Sequence, residues 1–432
     1  MDYLYSPLGH KSIKPSAVND LTAGFATGFR ENTDINLGVG YVNDKTIPVE
    51  AIRKAYDYIM CHPQKYRNAL NYGSAEGSPN LRQSVYNYYC SNKLGGLSED
   101  DFRGRKIIIG ANGATSLLDA FSDLIQPGIV VTSDPFYYIY TETLQNKGFT
   151  ILPVEEDSQG IVPEKIAEAL ANIDISNLSF FYIVTVNNPS TILLSNSRRA
   201  EIIEIAARLS TKAGRKIPII FDKAYEDIIH NTGLEKPVSG LKYDTEGIAF
   251  EIGTLSKIIA PALRIGYMIC PDNQMAKLLV QRTSDIGFSA PLINQEIASW
   301  LIDNFLQQQR DIVNAGYQKK ATFIKNLING HLKPYIERYS GGDAAFYFYL
   351  TLKNIPVGPG SKFFKFLSRT TGNAEIDGLP EKKPRLVYIP GTICSKGPNA
   401  GCQLRLSYGF EEEAVFRKVF SLLAEACKYA LE

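Results

Sequence analysis

The sequence predicts an α/β fold: a mostly parallel seven-stranded sheet covered by helices on both faces, with a smaller α+β unit attached. Three observations predict it. Seven short runs rich in β-branched and aromatic residues recur through the middle of the chain. Helical patterns separate most of them, the alternation expected of a sheet buried on both faces. After Pro291 that alternation stops, and a long helical stretch is followed by shorter strands.

The seven runs are Lys106 to Ile109, Ile129 to Thr132, Thr150 to Val154, Ser179 to Val186, Ile217 to Phe221, Ile248 to Ile252 and Arg264 to Ile269. Each is short, apolar and bounded by turn residues, as a buried strand should be. Thr115 to Gln126, Pro163 to Asn172 and Ser197 to Ala213 carry helical spacing between them. Beyond Pro291, Asn294 to Asn329 reads as one long helix, Ala345 to Leu350 and Gln403 to Ser407 as strands, and Glu411 to Leu431 as a closing amphipathic helix. The first ~45 residues show no periodic element before Val49 to Tyr58, so they are expected to pack on another part of the molecule. This gives three regions: an N-terminal segment, 1–45, joining the small domain; a large domain, 46–300; and a small C-terminal domain, 301–432.

Composition narrows the function classes. With 46 Lys plus Arg against 45 Asp plus Glu among 432 residues, no net field draws a nucleic acid or an anionic membrane. The six cysteines (Cys61, Cys90, Cys270, Cys394, Cys402, Cys427) contain no C-x-x-C pair, and His10, His62, His230 and His331 form no ligand-spaced cluster with them. No apolar run approaches the ~18 residues of a membrane span, and no signal-peptide pattern opens the chain. A metal-free cytoplasmic protein is the expectation.

In open α/β sheets ligands sit at the carboxyl ends of strands, so the residues after each strand are the place to search. After the first run comes GANGATS, where glycines and free helix N–H groups make an anion site as well as a plain turn. Asn187-Asn188-Pro189-Ser190 ends the fourth run, either as a strand stop or as an amide aimed at a ligand. The fifth runs into Asp222-Lys223-Ala224-Tyr225: a carboxylate suited to a cationic ring nitrogen, or to a helix cap, with a phenol three residues on. The sixth leads to Thr254-Leu255-Ser256-Lys257, where a lone Lys in so apolar a stretch suits covalent use as a Schiff base. Thr254, Ser256 and Arg264 around it are phosphate-binding types.

Taken together, these segments resemble the class I/II aminotransferases, fold-type I enzymes dependent on pyridoxal 5′-phosphate (PLP), from about Asn36 to Ser407. The most specific stretch is SKIIAPALRIGY, similar to the family's S-K-x-x-x-P-G-x-R-x-G-Y with Ala262 in place of Gly. The resemblance implies that Lys257 forms the internal aldimine and moves the proton, within a ping-pong transfer from an L-amino acid to a 2-oxo acid. It implies that Asp222 pairs with the pyridine nitrogen, that Tyr225 and Asn188 bond the phenolic oxygen, and that Tyr137 stacks on the ring. Gly113, Ala114 and Thr115, with Thr254, Ser256 and Arg264, become the phosphate site. Arg405, in QLRLS, becomes the clamp for the substrate α-carboxylate, with Asn188 beside it and Gly40, in NLGVGY, covering the substrate. Tyr72, and Ser289 in FSAPLINQ, become residues that reach a neighbouring subunit's phosphate, which implies a homodimer.

Dicarboxylate-specific members carry a second Arg just ahead of the Ser289 position; Asp285 stands there, with Arg282 one turn away. A PLP-dependent lyase or synthase, of the C–S β-lyase or aminocyclopropane-carboxylate-synthase kind, shares every cofactor residue and remains the alternative. A PLP-sensing regulator requires a helix-turn-helix domain, which is not expected in the at most 35 residues ahead of the match.

Overall fold

A computed structural model describes residues 3–16, 19–20, 23, 29–30, 33–378 and 383–432. Parts of the expected N-terminal segment, including residues 24–28 and 31–32, lie outside the described residues. The first strand, β1 (Ile35–Asn36), precedes the large sheet in sequence and is not part of it. That sheet contains β2 (Arg105–Ile109), β3 (Ile129–Asp134), β4 (Thr150–Asp157), β5 (Gly160–Ile161), β6 (Leu178–Val184), β7 (Ile219–Asp222), β8 (Ala249–Thr254) and β9 (Gly266–Pro271).

Their order is β2-β9-β8-β7-β6-β3-β4-β5. The β4-β3-β6-β7-β8 block is parallel, β9 runs antiparallel to both its neighbours, and the two-residue β5 folds back on β4. The seven expected strands are thus present, and β5 is an eighth. Side-chain alternation along β6 separates two cores: Phe180 and Tyr182 enter one, Phe181 and Ile183 the other. Phe121 of the helix Gly113–Leu124 packs edge-on at 5.3 Å against both Phe180 and Phe250. Burying each such ring stabilises by roughly 1.5–3 kcal/mol, which holds that helix, and the turn before it, rigidly on the sheet.

Several helix boundaries follow from caps. Ser195 accepts from the Arg198 amide to start Asn196–Ala213, and Gly214, at φ +65°, ends it. The expected single helix over Asn294 to Asn329 is two, Leu292–Asn304 and Leu306–Leu327, broken at Phe305, whose φ is −140°. Apolar spacing continues across the break, so periodicity alone could not reveal it. The six-residue helix Pro7–Ser12, with Ser6 as its cap, is likewise an element where none was expected; it is short and buries nothing, so it leaves no apolar pattern.

A second sheet, ordered β10-β11-β14-β13 and antiparallel at each pairing, is built from β10 (Ile336–Gly341), β11 (Tyr347–Leu352), β13 (Ile389–Pro390) and β14 (Gln403–Ser407). The helix Glu413–Leu431 buries Phe416, Val419, Phe420 and Leu423. Between β11 and β13 in sequence lies β12 (Leu386–Val387), and β1 pairs with it in parallel. Asp34, buried, is clamped there from both sides, by Arg30 at 2.7 Å and Arg385 at 2.9 Å. Burial works to raise the Asp34 carboxyl, but hydrogen bonds from the two arginines outweigh it and hold the group at about 2. Among the described residues no helix is long and apolar enough to cross a membrane.

Candidate active site

At the carboxyl end of β2 the chain turns into the helix Gly113–Leu124. Gly113 adopts φ +68°, and an added Cβ would stand 2.9 Å from Arg264 Nη2, so both the conformation and the close approach call for glycine. Asn112 gives this helix no side-chain cap. Instead its Oδ1 accepts from Arg264 Nε at 2.6 Å and its carbonyl from Nη2 at 3.0 Å. The first-turn amides of Ala114 and Thr115 therefore stand uncapped beside a guanidinium, an electropositive corner suited to a phosphate. Thr254, buried, donates to the Ile265 carbonyl at 2.9 Å and lies 3.0 Å from the Ser256 hydroxyl. Arg264 was expected inside a strand; it instead follows the turn Pro261–Leu263 with φ +55°, and β9 begins at Gly266. The left-handed residue swings its side chain back over the helix entrance.

Asp222, the last residue of β7, is buried. Its Oδ2 accepts from the Tyr182 hydroxyl at 2.8 Å and its Oδ1 from the Ala224 amide at 3.0 Å. Burial raises its carboxyl above the ordinary range, against the pull of these two bonds. Behind it, Lys223 points to the other face of the strand and sits 2.9 Å from Glu251 and 3.3 Å from Glu226; Glu226 in turn pairs with Arg199 at 2.7 Å. Burial would raise Glu226, but Arg199 and Lys223 outweigh it and hold the carboxyl at about 2. This buried four-charge network anchors the turn that carries Asp222 and Tyr225.

Lys257 is half-buried, and its Nζ donates to the Gly40 carbonyl at 3.3 Å. It stands 5.8 Å from the Tyr225 ring centroid and 5.9 Å from that of Phe346. Burial, then the charges of Arg405 and Arg264, lower its amine to about 8. Tyr225 Oη lies 2.8 Å from Tyr347 Oη.

Arg405 is 1% exposed. Its Nη1 donates to Asn188 Oδ1 at 2.7 Å and its Nη2 to the Gly38 carbonyl, while its Nε has no partner. The guanidinium lies 4.4 Å from the Tyr347 ring centroid and 5.5 Å from that of Tyr138. Among the described residues no carboxylate lies within ion-pair distance of Lys257, Arg264 or Arg405. Three neighbouring cations without a paired anion are costly, and an anionic ligand is what would offset them.

The remaining candidates are placed as follows. Tyr137, between β3 and the helix Tyr138–Asn146, is half-buried, and burial raises its phenol. Tyr72 is 83% exposed, with its ring 5.7 Å from that of Phe288. Ser289 donates to the Ser74 carbonyl at 2.8 Å, in that same region. Arg282 is engaged by Asp123 at 2.7 Å, and Asp285 accepts from Gln281. Sequence reasoning missed Tyr182, Tyr347, Tyr138 and Asn112. It also missed Asn187, which donates at 2.8 Å both to the Pro135 carbonyl and to Glu156 and so holds the segment bearing Tyr137. Asn112 and Asn187 stood inside the turns already singled out; Tyr182 and Tyr347 sat in apolar strands, where a tyrosine reads as core.

The fold and this cluster define an α/β protein of the kind that binds an anionic ligand at the carboxyl edge of its sheet. The chain belongs to the aminotransferase class I and II family, whose model matches residues 32–355. It is 24% identical over 403 residues to an uncharacterized aminotransferase of Saccharolobus solfataricus, covering 92% of each chain. It is also 25% identical over 350 residues to the uncharacterized HTH-type transcriptional regulator YisV of Bacillus subtilis, covering 76% of this chain. The chain spans 64% of the length of YisV and 59% of that of a second such regulator, YdfD. Among solved structures, the kynurenine aminotransferase of Pyrococcus horikoshii superposes with a TM-score of 0.82 at 21% identity, covering 99% of this chain and 98% of that one. An archaeal alanine:glyoxylate aminotransferase does so with a TM-score of 0.82 at 22% identity and 99% coverage of both. These likenesses establish the fold.

Proposed function

We propose that the protein is a PLP-dependent aminotransferase that moves an amino group from an L-amino acid to a 2-oxo acid. The observation that carries this reading is the set of three cations, Lys257, Arg264 and Arg405, gathered without a paired carboxylate around the buried Asp222. The residues present fit the cofactor. The uncapped turn Gly113-Ala114-Thr115, Arg264, Thr254 and Ser256 suit its phosphate; Asp222 suits its ring nitrogen; Tyr225 and Asn188 suit its phenolic oxygen; and Tyr137 supplies a ring to stack. Bound there, PLP supplies an electron sink for negative charge at the substrate's α-carbon.

The chain's own groups do the rest. Asp222, whose Oδ2 accepts from the Tyr182 hydroxyl and Oδ1 from the Ala224 amide, is placed to hold a proton on the ring nitrogen. Lys257, its amine lowered to about 8, is neutral in appreciable fraction near neutral pH and carries the proton to and from the α-carbon. Arg405 clamps the α-carboxylate with two parallel bonds, and its stacking on Tyr138 and Tyr347 fixes the plane of the fork. The S. solfataricus relative named an aminotransferase, matched over 92% of each chain, supports the same reading. With Arg282 already paired to Asp123, no second Arg in this stretch is free for a side-chain carboxylate, which favours amino acids without one. Tyr72, exposed in one chain, and Ser289, buried beside the same segment, are assigned by the resemblance to the phosphate site of a second copy in a homodimer.

The test is an absorbance spectrum of the purified protein with PLP, before and after single amino acids. A visible band bleached by an amino acid and restored by a 2-oxo acid supports transamination. Release of pyruvate and ammonia instead turns the assignment toward a lyase. Failure to reconstitute any band, or wild-type turnover in Lys257→Ala, removes the cofactor assignment.

A further inference from the structure

We propose that Tyr347 is a positioning residue for this chemistry: its hydroxyl, bonded to Tyr225, sets how strongly Tyr225 donates to the ligand oxygen it faces, while its ring seats Arg405. The inference rests on the PLP reading above. Tyr347 opens β11, is 1% exposed, and sits between the two groups it serves. On one side its Oη is 2.8 Å from Tyr225 Oη; on the other its ring centroid is 4.4 Å from the Arg405 guanidinium.

A phenol has one proton to donate and two lone pairs to accept. Whichever of two bonded tyrosines donates to the other has no proton left for a third group. Burial raises both phenols, and the Arg405 charge works against the rise in each. Tyr347 has the Arg405 guanidinium 4.4 Å from its ring, a cation that favours a phenol sharing its proton away, so Tyr347 is the donor of the pair once an anionic oxygen faces Tyr225. Tyr225 then accepts from Tyr347 and donates onward, and each bond polarises the next. The glycine at 40 makes room for this: a Cβ there would collide with Tyr347 Oη, and the same residue's carbonyl receives Lys257 Nζ. Arg405, Tyr347, Tyr225 and Lys257 are therefore mechanically linked.

The experiment is a pH titration of the visible band of the PLP-loaded protein, comparing wild type, Tyr347→Phe and Tyr225→Phe. Losing the Tyr347 hydroxyl weakens Tyr225 as a donor, so the midpoint in Tyr347→Phe moves upward, in the direction of Tyr225→Phe, by about 0.4 to 1 pH unit, the size of one neutral hydrogen bond. KM for amino and oxo acids stays within about twofold, because the ring that seats Arg405 remains; Tyr347→Leu, which removes it, raises KM for both by about tenfold. A Tyr347→Phe titration that superposes on wild type while Tyr225→Phe shifts overturns the inference and leaves the PLP reading standing. A wild type with no titratable visible band overturns both. If Tyr347→Leu does not fold, the Phe variant decides alone.

Discussion

Arg405→Ala is the substitution whose effect follows most directly from geometry. The side chain is enclosed, forked toward Asn188 Oδ1 and the Gly38 carbonyl, and stacked between two tyrosines, with no carboxylate partner among the described residues. Two parallel charge-assisted bonds to a substrate carboxylate contribute about 1.5–3 kcal/mol each, and water entering the vacated space returns part of that. A net loss of about 3–5 kcal/mol corresponds to a fall in kcat/KM of about 10²- to 10⁴-fold at 1.4 kcal/mol per decade. Arg405→Lys keeps the charge and one bond, so its loss is about 10- to 100-fold. The assay is steady-state kinetics with at least three amino acids of different side chain and one 2-oxo acid. Because the α-carboxylate is common to all, the factor should be the same for each. A fall confined to one substrate, or activity within about threefold of wild type, would refute the role given to Arg405.

Four further outcomes are expected. Lys223→Met leaves Glu251 and Glu226 buried without their ammonium, and the variant should lose about 3–5 kcal/mol of stability in denaturant unfolding. Glu226 and Asp34, both held at about 2, contribute stability that is complete above the ordinary carboxylate range and lost as pH falls from about 4.5 toward 2; acid titration of unfolding should show the loss in that window, reduced in Asp34→Asn. Lys257 has the same sign in a higher window: its lowered amine means the unfolded chain binds more proton between about 8 and 10.5, so the PLP-free protein should gain stability as pH rises through that range, and Lys257→Met should not. Tyr182→Phe removes the hydroxyl that favours ionised Asp222, so the acidic limb of the pH–rate profile should move upward without a change in KM; a profile unchanged from wild type would count against the Asp222 assignment.

Most strands and the positions of Lys257, Asp222 and Asn188 were legible because each lies at or just past the end of an apolar run, where a polar side chain is conspicuous. Gln403–Ser407 and the closing helix were found almost to the residue for the same reason. Arg405, in the middle of its strand, was marked only by the resemblance. What escaped was geometry that periodicity does not encode. The break at Phe305 is a backbone torsion in a continuous apolar pattern; the left-handed Arg264 looks, in sequence, like the first residue of a strand. Tyr182 and Tyr347 are polar only at their tips, so a strand buries them as it would Phe, and their hydroxyl partners lie 40 and 122 residues away. The charge network behind Asp222 was invisible likewise, since Arg199, Glu226 and Glu251 meet only in space.

The parallel pairing of Ile35–Asn36 with Leu386–Val387 has a consequence for how the protein is made. Residue 40 meets Lys257, in the middle of the chain, but the contacts of residues 38 and 40 to Arg405 and Tyr347 cannot form until most or nearly all of it has been translated. A nascent chain released at about residue 300 already contains Gly113, Asp222, Lys257 and Arg264, but neither the substrate clamp nor the partner strand for its own beginning. The strand pair β1–β12 and the contact from Gly38 to Arg405 are therefore among the last to close as the chain is made.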